Sequence, residues 1–336
     1  MPALSAIRTD KPRHPELGEV RWMRDFDAAL AQSAATGMPV LVLFDEVPGC
    51  ETCVNYGQQV LSHPLIVEAI ETLFVPVAVF NNVQGKDREV LKSFEEPEWN
   101  NPVVRIVDSK RRMLAPRVAE EWTAVPLVGA MTKALRDSGK AVPAYLALLE
   151  AEALAADRIE RATFAMHCFW EGEAKLGALG GVLETRTGFL QGDEVVEVRF
   201  DPRKLSFGDL VSKARELECA GRVFARSDSQ LSQARKVIGD AAARSDEPMK
   251  PSLKDDKYQL RERPIAGVPM TELQAARVNA VVGAGKDPAE FLSPRQVELL
   301  RRLEALPDSK SPKEMIGRAD LAQAWREAWG QVMSRN

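Results

Sequence analysis

The sequence predicts an α/β unit followed by an α+β unit, with a helical extension closing the chain. Three observations carry that reading. Apolar runs alternate with helix-periodic stretches from about Glu19 to Leu149. A strand–helix–strand–strand–helix–strand order follows. Beyond residue 266 only helical patterns remain. At 336 residues, 45% of them hydrophobic and 28% charged, the chain is long enough for two cores and ordinary in composition for a globular protein.

The elements follow in order. Asp25 to Ser33 has helical spacing around Phe26 and Leu30, and Gly37, Met38 and Pro39 break it before the apolar run VLVLF. After a cysteine pair come a helix-like stretch, a helix opened by Pro64, and the run LFVPVAVF. Pro102 precedes VVRIV, Met113 to Val118 offers a short strand, and helical patterns resume from Pro126 to Leu135. An alanine- and leucine-rich helix from Val142 to Ala156 bridges to the second unit. There, strands at Ala162–Met166, Val182–Thr187, Glu194–Phe200 and Arg222–Ala225 are interleaved with helices at Cys168–Leu179 and Ser206–Glu218, a βαββαβ order that is the ferredoxin-like plan. Ser227 or Asp228 caps a further helix. Residues 241–265, polar and with Pro248 and Pro251, read as a linker. The extension over 266–336 holds helices at Met270–Val282, after Ser293 with Pro294 in its first turn, and through Trp325 and Trp329.

Charge and cysteine count narrow the function. A formal charge of -4 offers no general attraction to phosphate backbones or anionic lipid, so neither nucleic acid nor membrane is an expected partner. The opening MPALSAIRTDKPRHPELGEV carries charge and proline where an export leader needs an apolar core. No later run approaches the roughly 20 apolar residues of a membrane span, and a cytoplasmic location is expected. Four cysteines are too few for a disulfide scaffold, and three histidines make a multi-histidine metal site hard to build, so neither metal nor cofactor is expected.

The first candidate site is FDEVPGCETCVNYG, with Cys50 and Cys53 just after an apolar strand and at the start of a helix. Unpaired N–H groups at a helix start favour the Cys50 thiolate, and Cys53, one turn on, is placed to resolve a mixed disulfide. Residues 19–149 resemble a thioredoxin-fold domain. The resemblance gives Pro102, in NNPVVRIVD, the place of the cis-proline facing the pair. Gly49 stands where that family carries tryptophan, and Glu51-Thr52 replaces Gly-Pro. Asp45, Glu46 and Glu51 add negative charge that opposes thiolate formation. These departures bear on partner choice and reduction potential.

The second site is ATFAMHCFWEGEAKLG, again with a cysteine, Cys168, at a strand-to-helix junction. Phe169 and Trp170 offer apolar walls for a methyl or thioether group, and His167 adjoins the thiol. The segment over 157–240 resembles a shortened peptide methionine sulfoxide reductase of the A type, through His167-Cys168-Phe169-Trp170-Glu171-Gly172-Glu173, GGVLETRTGF and GDEVVEVRFDPRKLSFGDLV. The resemblance implies that Cys168 attacks the oxidised sulfur and Glu194 protonates its oxygen. His167 and Glu171 replace the flanking glycines, Phe189 replaces a pocket tyrosine, and the block carrying further acidic and tyrosine pocket residues is missing between Pro202 and Arg222. Cys219 is either a resolving thiol or a small buried side chain. G-A-G-K at Gly283–Lys286 lacks the earlier glycine and following hydroxyl of a phosphate loop.

Together these features describe a thiol-dependent oxidoreductase that reduces an oxidised sulfur at Cys168 with electrons from Cys50 and Cys53. Its expected partners are a thiol/disulfide reductant and an oxidised small-molecule or protein sulfur. Two alternatives stand beside it: a redox-sensing thiol protein that binds a partner without turnover, and metal handling by the C-x-x-C.

Overall fold

Strand β1 (Val40–Asp45) is buried along its whole length, so both of its faces must be covered and it must be central. It pairs in parallel with β2 (Val75–Phe80) and antiparallel with β3 (Val103–Val107), giving the order β2-β1-β3. Met113 and Val118 make isolated bridges to β3 in place of the expected strand. Helices α1 (Phe26–Thr36), α2 (Glu51–Gln59), α3 (Pro64–Leu73), α4 (Lys86–Ser93) and α5 (Ala124–Asp137) complete the layer. On one face of the sheet Val40, Val42 and Phe44 pack with Phe26, Val77 and Leu91. This computed structural model describes residues 14–306, 313–318 and 320–333. The start of the N-terminal stretch and parts of the C-terminal extension read above lie outside those residues.

Two compact units divide at residue 150, within α6 (Ala144–Ala155); residues 320–326 group with the first unit. In the second unit, β4 (Glu160–Ala165), α7 (Phe169–Gly177), β5 (Val182–Leu190), β6 (Asp193–Phe200), α8 (Phe207–Glu216) and β7 (Arg222–Ala225) give the βαββαβ order. The β5–β6 turn places Gln191 (φ 53°) and Gly192 (φ 88°) in the left-handed region that a two-residue hairpin turn demands. Helix α9 (Asp228–Ile238) is capped by the Ser227 hydroxyl. Phe164, Val196, Val198 and Phe200 pack with Leu210 and Val211 in one apolar core.

The polar stretch expected as a linker is part of the sheet. Strands β8 (Ala242–Arg244) and β9 (Lys250–Pro251) flank the core in a six-stranded order β8-β7-β4-β6-β5-β9. Part of its charge is buried, at Asp255, Asp256 and Lys257. Lys257 and Glu173 are both fully buried, with Nζ 2.9 Å from Oε1. Burial opposes the ammonium, but Glu173 and Asp256 outweigh it and hold the Lys257 pKa above the ordinary lysine value. Apart from residues 320–326, the described residues beyond 266 also belong to this unit. Helix α10 (Glu272–Gly283) packs on α7 and β5, and its Arg277 donates to the carbonyls of Gly177, Leu179 and Val182. Helix α11 (Pro294–Glu304) opens with a Ser293–Gln296 capping box, and α12 (Leu321–Met333) follows.

Candidate functional site

In the first unit, the chain leaves β1 at Asp45 and turns into α2, whose N-cap is Cys50. Gly49 is required there: an added Cβ would stand 2.2 Å from the Glu46 carbonyl oxygen and 2.8 Å from the Cys53 Cβ. That close approach explains why no bulky residue precedes the pair. The Gly49 N–H donates to Glu16 Oε1 at 2.7 Å, which fixes the turn.

The two sulfurs lie 3.4 Å apart as free thiols, with Cys50 exposed and Cys53 buried. The Cys53 backbone N–H, helped by the Cys53 thiol and Thr52, holds the Cys50 pKa below its ordinary value. Burial pushes Cys53 the other way, and the neighbouring Asp45 carboxylate adds to the rise. Asp45 is itself fully buried, and burial raises its pKa to about 7. The pair is therefore asymmetric: a reactive outer sulfur, and an inner one beside a group able to take its proton. The fully apolar run that ends in a charged residue, VLVLFD, was the available sign of Asp45's role.

The Asn101–Pro102 peptide bond is cis, and the Pro102 carbonyl accepts from Trp122 Nε1 at 3.0 Å. Among the described residues, the one group of metal-type ligand atoms within 4.8 Å of one another is Glu46, Cys50 and Cys53.

In the second unit, three strand ends converge on the start of α7. Cys168 is its half-buried N-cap, with no side-chain capping bond. Glu194, at the start of β6, stands opposite Phe189 in the β5–β6 register, and its carbonyl accepts from Met166. Its Oε2 accepts the Phe169 backbone N–H at 3.2 Å. Thus Cys168, Glu194, Phe169 and Phe189 meet at one helix N-terminus, while His167 is exposed.

Phe169 lies with its ring centroid 5.6 Å from Phe189 and 6.0 Å from Trp170. Trp170 is stacked on Tyr258 at 4.0 Å and donates from Nε1 to Asp255 Oδ1 at 3.1 Å. Asp255 and Tyr258 escaped sequence reading because they lie in the supposed linker. They bring an acid and a tyrosine against Trp170, two residues after Cys168. Lys257, between them in sequence, clamps this segment to α7 through its buried pair with Glu173. Cys219 is only 2% exposed; its thiol donates to the Leu217 carbonyl at 3.3 Å, and burial raises its pKa to about 11. Those features match a packed core thiol.

The chain is similar to known proteins of two kinds. Residues 21–109 match the family model described as "Thioredoxin-like". The chain is 28% identical over 174 residues to "Peptide methionine sulfoxide reductase A5" of Oryza sativa subsp. japonica, covering 47% of this chain and 65% of that protein. It is 33% identical over 70 residues to "Peptide methionine sulfoxide reductase MsrA" of Geobacter metallireducens, covering 16% of this chain and 43% of that one. A solved structure titled "DsbH Oxidoreductase" aligns with 39% of this chain and 95% of its own at 18% identity and a TM-score of 0.31. The chain thus spans less than two-thirds of the length of either curated relative. It contains a thioredoxin-like domain and is similar in addition to peptide methionine sulfoxide reductases.

Proposed function

We propose that this chain is a thiol-dependent oxidoreductase that reduces a sulfoxide of the methionine type at Cys168, with electrons supplied by Cys50 and Cys53. The observation that carries the reading is the Glu194 carboxylate seated 3.2 Å from the Phe169 N–H, at the helix start that Cys168 caps. The Cys168 thiolate attacks the sulfoxide sulfur while Glu194 gives a proton to its oxygen. The thioether leaves, and Cys168 retains the oxygen as a sulfenic acid. Cys50 then attacks that sulfur, releasing water and forming a mixed disulfide. Cys53 attacks Cys50, freeing Cys168 and closing the Cys50–Cys53 disulfide, which an external thiol reductant reopens.

The test is thiol loss and thioether formation on a panel of free and peptide-bound sulfoxides. Cys168→Ser should abolish turnover, and Cys50→Ser should leave one stoichiometric round. Repeated turnover by Cys50→Ser without added reductant would refute the relay. If no sulfoxide is consumed while mild peroxide still oxidises Cys168, the redox-sensing reading replaces turnover. The convergence of Glu46 with both sulfurs favours soft-metal binding as a second reading of the first unit alone. Competition with a chelator for Zn(II) or Cu(I) decides it.

A further inference from the structure

A short 3-10 turn, Pro15–Leu17, lies directly on α2, the helix that Cys50 caps. A Cβ added at Gly57 of α2 would stand 2.0 Å from the Pro15 carbonyl oxygen, so glycine is what lets the turn approach this closely. Beyond the turn, the Glu19 N–H donates to the Leu61 carbonyl at 3.0 Å and ties the chain down. The acid of the turn, Glu16, is only 3% exposed. Its Oε1 accepts the Gly49 N–H at 2.7 Å, so a residue 33 positions away holds the bend from which Cys50 emerges.

A carboxyl group is seldom buried without a cation or a full set of donors. Glu16 has one donor, and its Oε2 is buried without a hydrogen-bond partner among the described residues. Asp45, wholly buried, repeats the pattern: Oδ1 accepts the Glu46 N–H at 3.0 Å, and Oδ2 is buried and unpaired among the same residues. The buried Tyr56 hydroxyl, three residues after Cys53 in α2, is likewise unpaired. Burial raises the pKa of Asp45, and the acids Glu16 and Glu46 add to the rise. Burial, and after it Asp45, does the same for Cys53 and Tyr56. Set against Asp45 are therefore Glu16 from the turn, Glu46 next in the chain, and Cys53 and Tyr56 from α2; none of these is a cation. Acids buried near one another disfavour each other's charge, so such a group tends to keep a proton.

We infer that Glu16 is a positioning residue for the cysteine pair: its buried carboxylate fixes the turn that presents Cys50 and governs the passage of the Cys53 proton to Asp45. The inference rests on the redox reading of Cys50 and Cys53 and adds to it a residue far outside the C-x-x-C segment. In the step concerned, Cys50 is already joined to a partner sulfur. The Cys53 thiol gives its proton to the Asp45 carboxylate, and the Cys53 sulfur attacks that of Cys50. The Cys50–Cys53 bond forms as the bond to the partner breaks, and the partner sulfur leaves with the electron pair as a thiolate. Asp45 can accept the proton only when ionised, and a neighbouring negative charge from Glu16 moves that ionisation to higher pH.

The experiment uses the full-length chain carrying Cys168→Ser, so that the second unit adds no reactive thiol. The reduced protein is converted to the Cys50 methyl disulfide with methyl methanethiosulfonate in acid, and the pH is then stepped across the neutral range. Closure of the Cys50–Cys53 disulfide, with release of methanethiol, is followed by acid quench and mass measurement. The closure rate should rise with pH, and the midpoint of that rise should fall by roughly one unit in Glu16→Gln. The amide oxygen of that variant can still accept the Gly49 N–H. Glu16→Met, of similar length and without charge, is the second variant if the glutamine form does not fold, and its midpoint should move the same way. Asp45→Asn should lose the rise in the neutral range, and its survival there overturns the inference. A uniform loss of rate with an unmoved midpoint makes Glu16 a structural contact only, which also overturns the inference while leaving the redox reading intact. If the parent protein closes no Cys50–Cys53 disulfide at any pH, both fall.

Discussion

The carboxylate of Glu194 and the backbone N–H of Phe169 are joined by a hydrogen bond of 3.2 Å, which ties the acid to the residue that directly follows Cys168. The bond uses one of the N–H groups left open at a helix start. It holds the acid near the thiol without engaging the sulfur itself.

Glu194→Gln should therefore lower sulfoxide reduction by about 10²–10⁴-fold, the usual range for losing a positioned acid. The amide oxygen can still accept from Phe169, so the fold and the alkylation rate of Cys168 should be retained. Steady-state reduction compared with iodoacetamide labelling checks this. A parallel loss in both would place Glu194 in the structure rather than the chemistry.

The outer and inner sulfurs of the first unit should differ sharply. Cys50 is exposed with a lowered pKa, whereas burial and Asp45 raise that of Cys53. Labelling at neutral pH should modify Cys50 first, by roughly tenfold or more. Cys53→Ser should trap a mixed disulfide on Cys50, visible as a mass adduct. Equal labelling of both residues contradicts the asymmetry.

Asp45 gives a stability prediction with a definite sign. Its pKa rises from the ordinary 3.8 to about 7 on folding because it is buried. Between those values the unfolded chain has released a proton that the folded unit keeps, so stability is fully present below about 4 and is lost as pH rises toward 7. At about 1.4 kcal/mol per pH unit the loss is on the order of 4 kcal/mol. Asp45→Asn should abolish that slope and melt higher than the wild type at pH near 8. Melting curves of the reduced protein at several pH values read it directly.

The clamp around Lys257 should behave as a buried ion pair. Lys257→Met leaves the buried Glu173 without its cation and should cost about 3–5 kcal/mol. The double change Lys257→Met with Glu173→Leu should recover much of that. Tyr258→Ala, which removes only the stacking partner of Trp170, should instead leave stability within about 1 kcal/mol while altering Trp170 fluorescence and sulfoxide turnover. A Tyr258 variant with wild-type turnover would remove it from the site.

The sequence by itself determined the local architecture: the thiols at strand-to-helix junctions, the Ser293 cap, the central VLVLF strand and the βαββαβ order. Each is written in neighbouring residues, through periodicity, capping and turn chemistry acting within a few positions. Only the tertiary structure decided the company those elements keep. The charge on Lys257 reads as solvated until Glu173, which is 84 positions away, closes on it and pins a supposed linker to the helix that Cys168 caps. Asp255 and Asp256 likewise look like ordinary surface residues of a linker, yet both are buried. Burial gives each its meaning, and burial is set by residues far along the chain, which no local pattern reports.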